Sequence, residues 1–395
     1  MTPFFIFWVI VFCISLFCLL HSYVFFPLIL DILANGKKGN ALVYKAEDAD
    51  LPTVSILLAV YNEQKVIEHK LQSSFKTSYP LEKIEFLIGS DASTDETNEI
   101  IARYQSQYPQ IKLVPFEGRT GKSGIINQLA TLAKNEIFIL TDANVMFKED
   151  TIYQLVKHYK NQEIALVGGN IQNTRLKKDG ISVQEKSYLS RENKIKYQEG
   201  LLWGCMIGAF GGCYSVRAHY YAPVPPVFFM DDFYITLNVL EHGGKALNEL
   251  DALCYEDVSN KSSEEFRRKV RISIGNFQNF GRYAHLLWPP FTGLAFSFSS
   301  HKVLRWLGPF FILLMLISSV FLSMQTLFFG VLLAGQLVLM MTPLLDVMLK
   351  KMNIHVLLLR FVSHFYLMNL ALLTGFFKYI KGVETNIWKP TQRYQ

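Results

Sequence analysis

The two ends of the chain go without charge for longer than a water-soluble fold tolerates. Residues 4–30 contain no Asp, Glu, Lys or Arg, and neither do residues 306–345 apart from Asp346 just beyond them. About 20 apolar residues let a helix cross the hydrocarbon core of a bilayer, so both stretches read as membrane-spanning. The first has no basic start and no small-residue cleavage site, which predicts a retained transmembrane helix over 1–33 rather than a removed leader. Lys37 and Lys38 come directly after it and no Lys or Arg precedes it. The positive-inside rule then places the central part of the chain in the cytoplasm.

At the other end, the weak polar break Ser323-Met324-Gln325-Thr326 divides 306–345 into two spans. Lys350 and Lys351 mark a cytoplasmic loop, and 354–377 forms a third apolar stretch interrupted by Arg360. The expectation is about three helices over 306–380, followed by a tail, 381–395. Helix parity puts that tail outside, whereas Lys378, Lys381, Lys389 and Arg393 favour the inside, and the sequence leaves both open. Residues 291–305 mix aromatics, small residues and two cations, the composition of a segment lying along the membrane surface.

Composition narrows the function classes. Half of the 395 residues are apolar and only 18% are charged, which excludes a disordered chain. The length allows two or three domains. The net charge of +6 comes from 39 basic and 33 acidic residues without a basic run. A nucleic-acid partner would want a clustered stripe; a modest excess suits anionic lipid. The five cysteines form no C-x-x-C pair, so they read as buried small side chains rather than zinc ligands.

Between 40 and 290 the composition is ordinary, and short apolar runs alternate with helical patterns. Strands are predicted at 54–60, 84–89, 111–114 and 137–140, with helices at 64–75, 95–106 and 122–134. This alternation argues for a parallel sheet with helices on both faces. In such sheets ligands bind beyond the carboxyl ends of the strands. There stand Tyr61-Asn62-Glu63, then Ser90-Asp91-Ala92-Ser93-Thr94-Asp95, then Gly118-Arg119-Thr120-Gly121-Lys122-Ser123, then Asp142-Ala143-Asn144. Carboxylates, amides and cations on one edge are what a nucleotide diphosphate with a divalent cation requires. Taken singly, each has a plainer reading: Asp91 or Ser93 as a helix cap, Asp142-Ala143-Asn144 as a turn. Gly121-Lys122-Ser123 lacks the earlier Gly of a phosphate-binding P-loop, where Phe116 stands.

Over about 52–275 these motifs, in this order, resemble the family 2 glycosyltransferases, whose fold is the α/β GT-A fold. The stretch from Val54 through Ala59 to Tyr61-Asn62-Glu63 resembles the opening strand and nucleotide-contacting turn. Residues 90–97 are close to the family's D-D-G-S-x-D-x-T, with Asp91 at the position that binds base and ribose. Lys122 takes the place facing the diphosphate, and Asp142-Ala143-Asn144 the place of D-x-D. The resemblance therefore implies Ala59, Tyr61, Glu63, Asp91, Lys122 and Asp142 as nucleotide-sugar-binding residues. It makes Asp142 and Asn144 the ligands of Mg²⁺ or Mn²⁺; the second ligand is an amide here, without charge. Met230-Asp231-Asp232 stands where the family has E-D, which makes Asp232 the catalytic base. Asp231, Gly212, Arg268 and Arg271 are implied around acceptor and diphosphate. The segment Arg268-Lys269-Val270-Arg271-Ile272 keeps only the Arg of the processive synthases' Q-x-x-R-W. The plainer reading of Arg267, Arg268 and Lys269 is a solvated or lipid-facing cluster, and for Lys269 it is the preferred one.

Flanking membrane helices make the likeness strongest to the poly-N-acetylglucosamine, hyaluronan and cellulose synthase branch. The implied protein is an inverting hexosyl- or N-acetylhexosaminyltransferase, multi-pass in a bacterial inner membrane with its catalytic domain cytoplasmic. It would pass a sugar from a UDP-sugar to a polysaccharide or glycolipid acceptor with a β-linkage. Two alternatives stand beside it: transfer of a single sugar to a lipid, and a non-catalytic nucleotide-sensing membrane scaffold.

Overall fold

The computed structural model describes residues 2–174, 182–257, 262–352, 354 and 356–383. The tail expected over 381–395 lies almost wholly outside them.

The strand order is set by which runs are buried on both faces. Strands β1 (Val54–Val60), β2 (Ile84–Ser90), β3 (Ile111–Pro115) and β4 (Ile137–Thr141) form a parallel set in which β1 pairs with β2 and β4, and β2 with β3. Every residue of β1 and β4 is buried, as expected of strands covered by helices above and below. The connecting helices are Ile67–Phe75, Thr97–Gln105 and Lys122–Leu132, each within three residues of the sequence expectation.

The sheet then departs from the all-parallel expectation. It continues through β5 (Val145–Phe147), β6 (Ile164–Thr174), β7 (Cys213–Arg217) and β8 (Lys245–Asp257) in the order β3-β2-β1-β4-β7-β6-β8-β5. Strand β7 is antiparallel to both β4 and β6, with Thr141 opposite Cys213. The loop Gly208–Gly212 lies at the carboxyl edge of β4, so the strand that leaves it has to run back. The antiparallel strand is what brings that loop to the site.

At the ends, Pro3–Ala34 is one 32-residue helix and Leu357–Lys381 another of 25. Both are long and apolar enough to cross a membrane; the first, at 1.5 Å per residue, spans about 48 Å. The expected hairpin is present as Gly308–Ser323 and Leu327–Met340, joined near Met324–Thr326. Each arm continues through a bend: 61° between Gly293–Trp306 and Gly308–Ser323, and 42° between Leu327–Met340 and Thr342–Lys351. Pro309 and Pro343 stand at those breaks, where a missing N–H lets one helix end and another begin. Lys350 and Lys351 therefore close a helix rather than lie in a loop, their charge suiting its C-terminus. Of the cysteines, Cys205, Cys213 and Cys254 are buried as expected, but Cys13 is exposed on the N-terminal helix.

Candidate active site

Two turns at the carboxyl edge hold each other in shape. Asn62 and Ala92 both have left-handed backbone, φ 51° and 56°, an arrangement Asn tolerates better than Ala. The Asn62 side-chain oxygen accepts from the Thr94 N–H at 2.8 Å, and the Glu63 N–H donates to Thr97 Oγ1 at 2.8 Å. Neither Asp91 nor Ser93 caps the following helix; Asp95 Oδ1 accepts from the Thr97 N–H instead.

Asp91 is fully enclosed. Its carboxylate accepts from Arg119 Nε at 3.0 Å and from the Thr120 and Gly121 N–H groups. Gly121 has φ 84°, which no side-chain-bearing residue adopts cheaply. Arg119 lies with its guanidinium carbon 3.3 Å from the centre of the Tyr61 ring. Asp91 and Tyr61 are thus linked through Arg119, a relay of contacts just outside the residues that line the cavity.

The cavity itself has a volume of about 1030 Å³. Ala59, Glu63, Lys122, Asp142 and Asn144 line it, as do Gly212, Asp231, Asp232, Arg268 and Arg271. Lys122 Nζ is 2.8 Å from Asp142 Oδ1 and 3.5 Å from Asp231 Oδ2. Burial opposes the Lys122 charge, but Asp142, Asp231 and Asp232 outweigh it and keep the ammonium protonated.

Asp231 and Asp232 open the helix Asp231–Glu241, entered through Met230 in left-handed backbone, φ 59°. Both carboxylates therefore stand at the helix's positive end. Asp232 is 7% exposed. Burial first, and then Asp231, push its carboxyl up to about 6, against the pull of Lys122. A Cβ on Gly211 would stand 2.9 Å from Asp232 Oδ2, so only glycine leaves that oxygen room to work.

A divalent cation fits the donor set at Asp142. The Asn144 amide nitrogen donates to Glu256 Oε1 at 3.0 Å, which leaves the amide oxygen as a ligand atom beside the Asp142 carboxylate. Among the described residues no three His, Cys, Asp or Glu side chains converge as a complete site. Such a cation would be finished by diphosphate oxygens, the usual way Mg²⁺ is held.

Arg268 is ion-paired within the cavity wall. It pairs with Glu265 at 2.9 Å and stands 3.6 Å from Glu185. Lys269, expected to be solvated or lipid-facing, instead turns inward to Glu185 and Glu265, both at 3.3 Å. Two buried carboxylates and His364 of the C-terminal helix hold that cluster, which a run of three cations could not announce.

One residue that sequence reasoning missed is Lys70. It is wholly buried, and its ammonium donates to Thr141 Oγ1 at 2.8 Å and to the Val145 carbonyl at 2.6 Å. Thr141 Oγ1 in turn donates to the Gly212 carbonyl at 2.8 Å. Lys70 therefore grips the Asp142–Asn144 turn from both sides. Its signal in the sequence is a lone Lys between Ile67 and Leu71 on the buried stripe of a helix. Lys70→Met keeps the volume and removes the grip. Nucleotide affinity in Mn²⁺, measured calorimetrically, should fall about 10–100-fold; affinity in EDTA should hardly move.

Residues 55–218 match the family described as Glycosyl transferase family 2. The chain is 31% identical over 125 residues to a β-monoglucosyldiacylglycerol synthase of Nostoc sp., covering 31% of this chain and 27% of that relative. It is 29% identical over 133 residues to a poly-β-1,6-N-acetyl-D-glucosamine synthase of Staphylococcus epidermidis, covering 33% and 32%. These matches span less than a third of each relative's length. A mannosyltransferase from Pyrobaculum calidifontis, solved with GDP-Man and Mn²⁺, superposes with a TM-score of 0.71 over 94% of this chain and 99% of its own. At 18% identity that likeness is one of fold, and it takes in the terminal helices as well as the sheet. Residues 55–218 thus match the family 2 glycosyltransferases, and the chain has the GT-A fold.

Proposed function

We propose that the protein moves a sugar from a UDP-sugar to a polysaccharide or glycolipid acceptor at a membrane, by a single displacement that inverts the anomeric carbon. The observation that carries this reading is Asp232: a buried carboxylate, poised near 6, facing a cavity that also holds Lys122 and Asp142. A general base works best with a pKa near the working pH. Asp232 takes the acceptor hydroxyl's proton while the oxygen attacks. Lys122, kept charged by Asp142 and Asp231, steadies the leaving diphosphate. A divalent cation bound at Asp142 and Asn144 would add positive charge at the same diphosphate. Asp91 fixes Arg119 and the Gly121 turn from which the helix of Lys122 starts.

Single-sugar transfer is favoured over processive synthesis by one feature. The helix carrying Arg271 has Ile272 where Q-x-x-R-W places the Trp beside the acceptor. A panel of radiolabelled nucleotide sugars, with the products sized, tests donor and product length together. Loss of all incorporation with every donor would sink the transferase reading in favour of a nucleotide-sensing scaffold. Calorimetry with UDP should show Asp142→Ala weakening binding only when Mg²⁺ or Mn²⁺ is present, and Asn144→Asp tightening it.

The membrane arrangement we propose is multi-pass, in a bacterial inner membrane, with the catalytic domain cytoplasmic. It rests on Lys37 and Lys38 at the end of Pro3–Ala34 and on Lys350 and Lys351 at the end of Thr342–Lys351. Single cysteines at Lys38, Gln325 and Lys351, in a background without the native five, would meet an impermeant maleimide on intact cells. Gln325 alone should label. Labelling at Lys38 would put the site on the wrong side of a cytoplasmic donor.

A further inference from the structure

The cavity does not end at the base. It runs past Asp232 to Tyr23 of the helix Pro3–Ala34 and to His364, Met368 and Leu372 of the helix Leu357–Lys381. Its far wall is therefore built from the two helices that are long and apolar enough to cross a membrane.

Between that wall and Asp232 stands Lys196, on the helix Ser182–Trp203. It is 2% exposed. Its ammonium lies 3.3 Å from the centre of the Phe210 ring and makes no hydrogen bond or ion pair among the described residues. Burial and then Lys302 pull it down to about 7, against Glu192, Asp232 and Glu199, so a partner in the cavity decides whether it carries its charge. The other buried charges around it are ion-paired. Glu192 pairs with His301, Lys302 and Arg305, and His301 bridges on to Glu199. A lysine ammonium has three donors, and a buried donor left empty is costly unless something fills it. Here only the cavity is left to supply the partner.

We propose that this inner half of the cavity is the acceptor subsite: Lys196 hydrogen-bonds the oxygen-rich headgroup beside Asp232, and the acceptor is held by an apolar chain lying against Met368 and Leu372, in the membrane. The inference rests on the reading of Asp232 as the base, since it is the position of the base that makes this half the acceptor's. It chooses a lipid-anchored acceptor over a water-soluble glycan. A soluble sugar chain would gain nothing from an apolar wall, whereas a lipid has its headgroup at the membrane surface already, where Lys196 waits. The transfer balances as before: the acceptor oxygen bonds the anomeric carbon, its proton goes to Asp232, and the nucleoside diphosphate leaves.

The test uses the full-length enzyme in vesicles made from membranes of its own host cells, with a radiolabelled nucleotide sugar. Label should partition into chloroform–methanol. Lys196→Met should raise the lipid concentration needed for half-maximal rate about 10–100-fold, the size expected for one charged hydrogen bond, and Lys196→Arg should restore part of it. Nucleotide affinity, read by calorimetry on the same variants, should stay within about twofold of wild type; it also reports that the variants are folded. Label confined to a water-soluble product, or a Lys196→Met enzyme with an unchanged acceptor requirement, would overturn the inference while leaving the transferase reading intact. No incorporation by the wild type from any donor would overturn the transferase reading itself and this inference with it.

Discussion

Asp232→Asn should remove nearly all turnover and at the same time make the protein more stable. The amide keeps the shape of the carboxyl and can still accept the Phe233 N–H that Asp232 Oδ1 accepts at 2.8 Å. It cannot take a proton. Loss of a general base typically costs about 10²–10⁴ in rate, and nucleotide affinity should change little because the base faces the acceptor. The stability gain comes from the same environment. Burial and Asp231 raise the carboxyl from 3.8 to about 6, so the folded protein holds that proton more tightly than the unfolded chain does. Above about pH 6 the folded state must carry the charge, at a cost of at most about 3 kcal/mol. Below about pH 4 both states are protonated and the cost vanishes. Asp232→Asn should therefore raise the melting temperature at pH 7.5 and leave it unchanged at pH 4. The wild-type rate should fall as pH drops through about 6, following protonation of the base. A variant that melts like wild type at pH 7.5, or keeps wild-type turnover, would remove Asp232 from the role assigned to it.

The donor half of the site was legible in the sequence because its residues come directly after apolar runs. Val54–Val60, Ile84–Ser90 and Ile137–Thr141 are buried runs with sharp polar ends, and the turns after them could be read off in order. Asp232 was legible through its place in a family pattern; its burial was not. Strand β8 alternates buried and half-exposed residues and carries four acidic side chains, Glu249, Asp251, Glu256 and Asp257, so no apolar run announces it. The acceptor half hid for a related reason. Glu185, Glu192, Lys196 and Glu199 are all buried on the helix Ser182–Trp203, yet a helix with this many charges reads as solvated. The partners of Glu192 and Glu199 lie about a hundred residues away, on a segment expected to lie at the membrane surface, and those of Glu185 on two further helices. Pairing across that distance leaves no local spacing to recognise. The same limit applies to Lys70 and to the relay from Asp91 through Arg119 to Tyr61: the sequence shows the charges, and only the fold shows which of them face each other.

Glu192→Ala should be among the most damaging substitutions outside the reacting centre, although Glu192 is assigned no contact to either substrate. Its side chain is 3% exposed. One oxygen accepts from His301 Nε2 at 2.8 Å and from Lys302; the other accepts from Arg305 at 2.9 Å. Burial opposes its charge, but His301, Lys302 and Arg305 prevail and hold the carboxyl well below its usual range. These contacts tie the helix Ser182–Trp203 to the segment Gly293–Trp306, and together the two form one wall of the acceptor half of the cavity. Removing one partner of a buried ion pair leaves the others charged and unmatched, which typically costs about 3–5 kcal/mol. An exposed pair of the same chemistry provides the contrast. Arg267, 71% exposed, pairs with Glu264, and Glu264→Ala should cost only about 0–1 kcal/mol, since solvent already screens the charge. Adding Arg305→Met to Glu192→Ala should recover part of the loss, because it withdraws one of the cations left without a partner. The signs also predict the pH dependence. A depressed carboxyl stabilises the fold at every pH above its unfolded value, and that contribution fades only as acid approaches its low folded value. The melting-temperature gap between wild type and Glu192→Ala, followed by tryptophan fluorescence in detergent, should hold from pH 8 to pH 5 and narrow below about pH 4. A gap no larger than that of Glu264→Ala would mean that this buried network does not hold the acceptor wall in place.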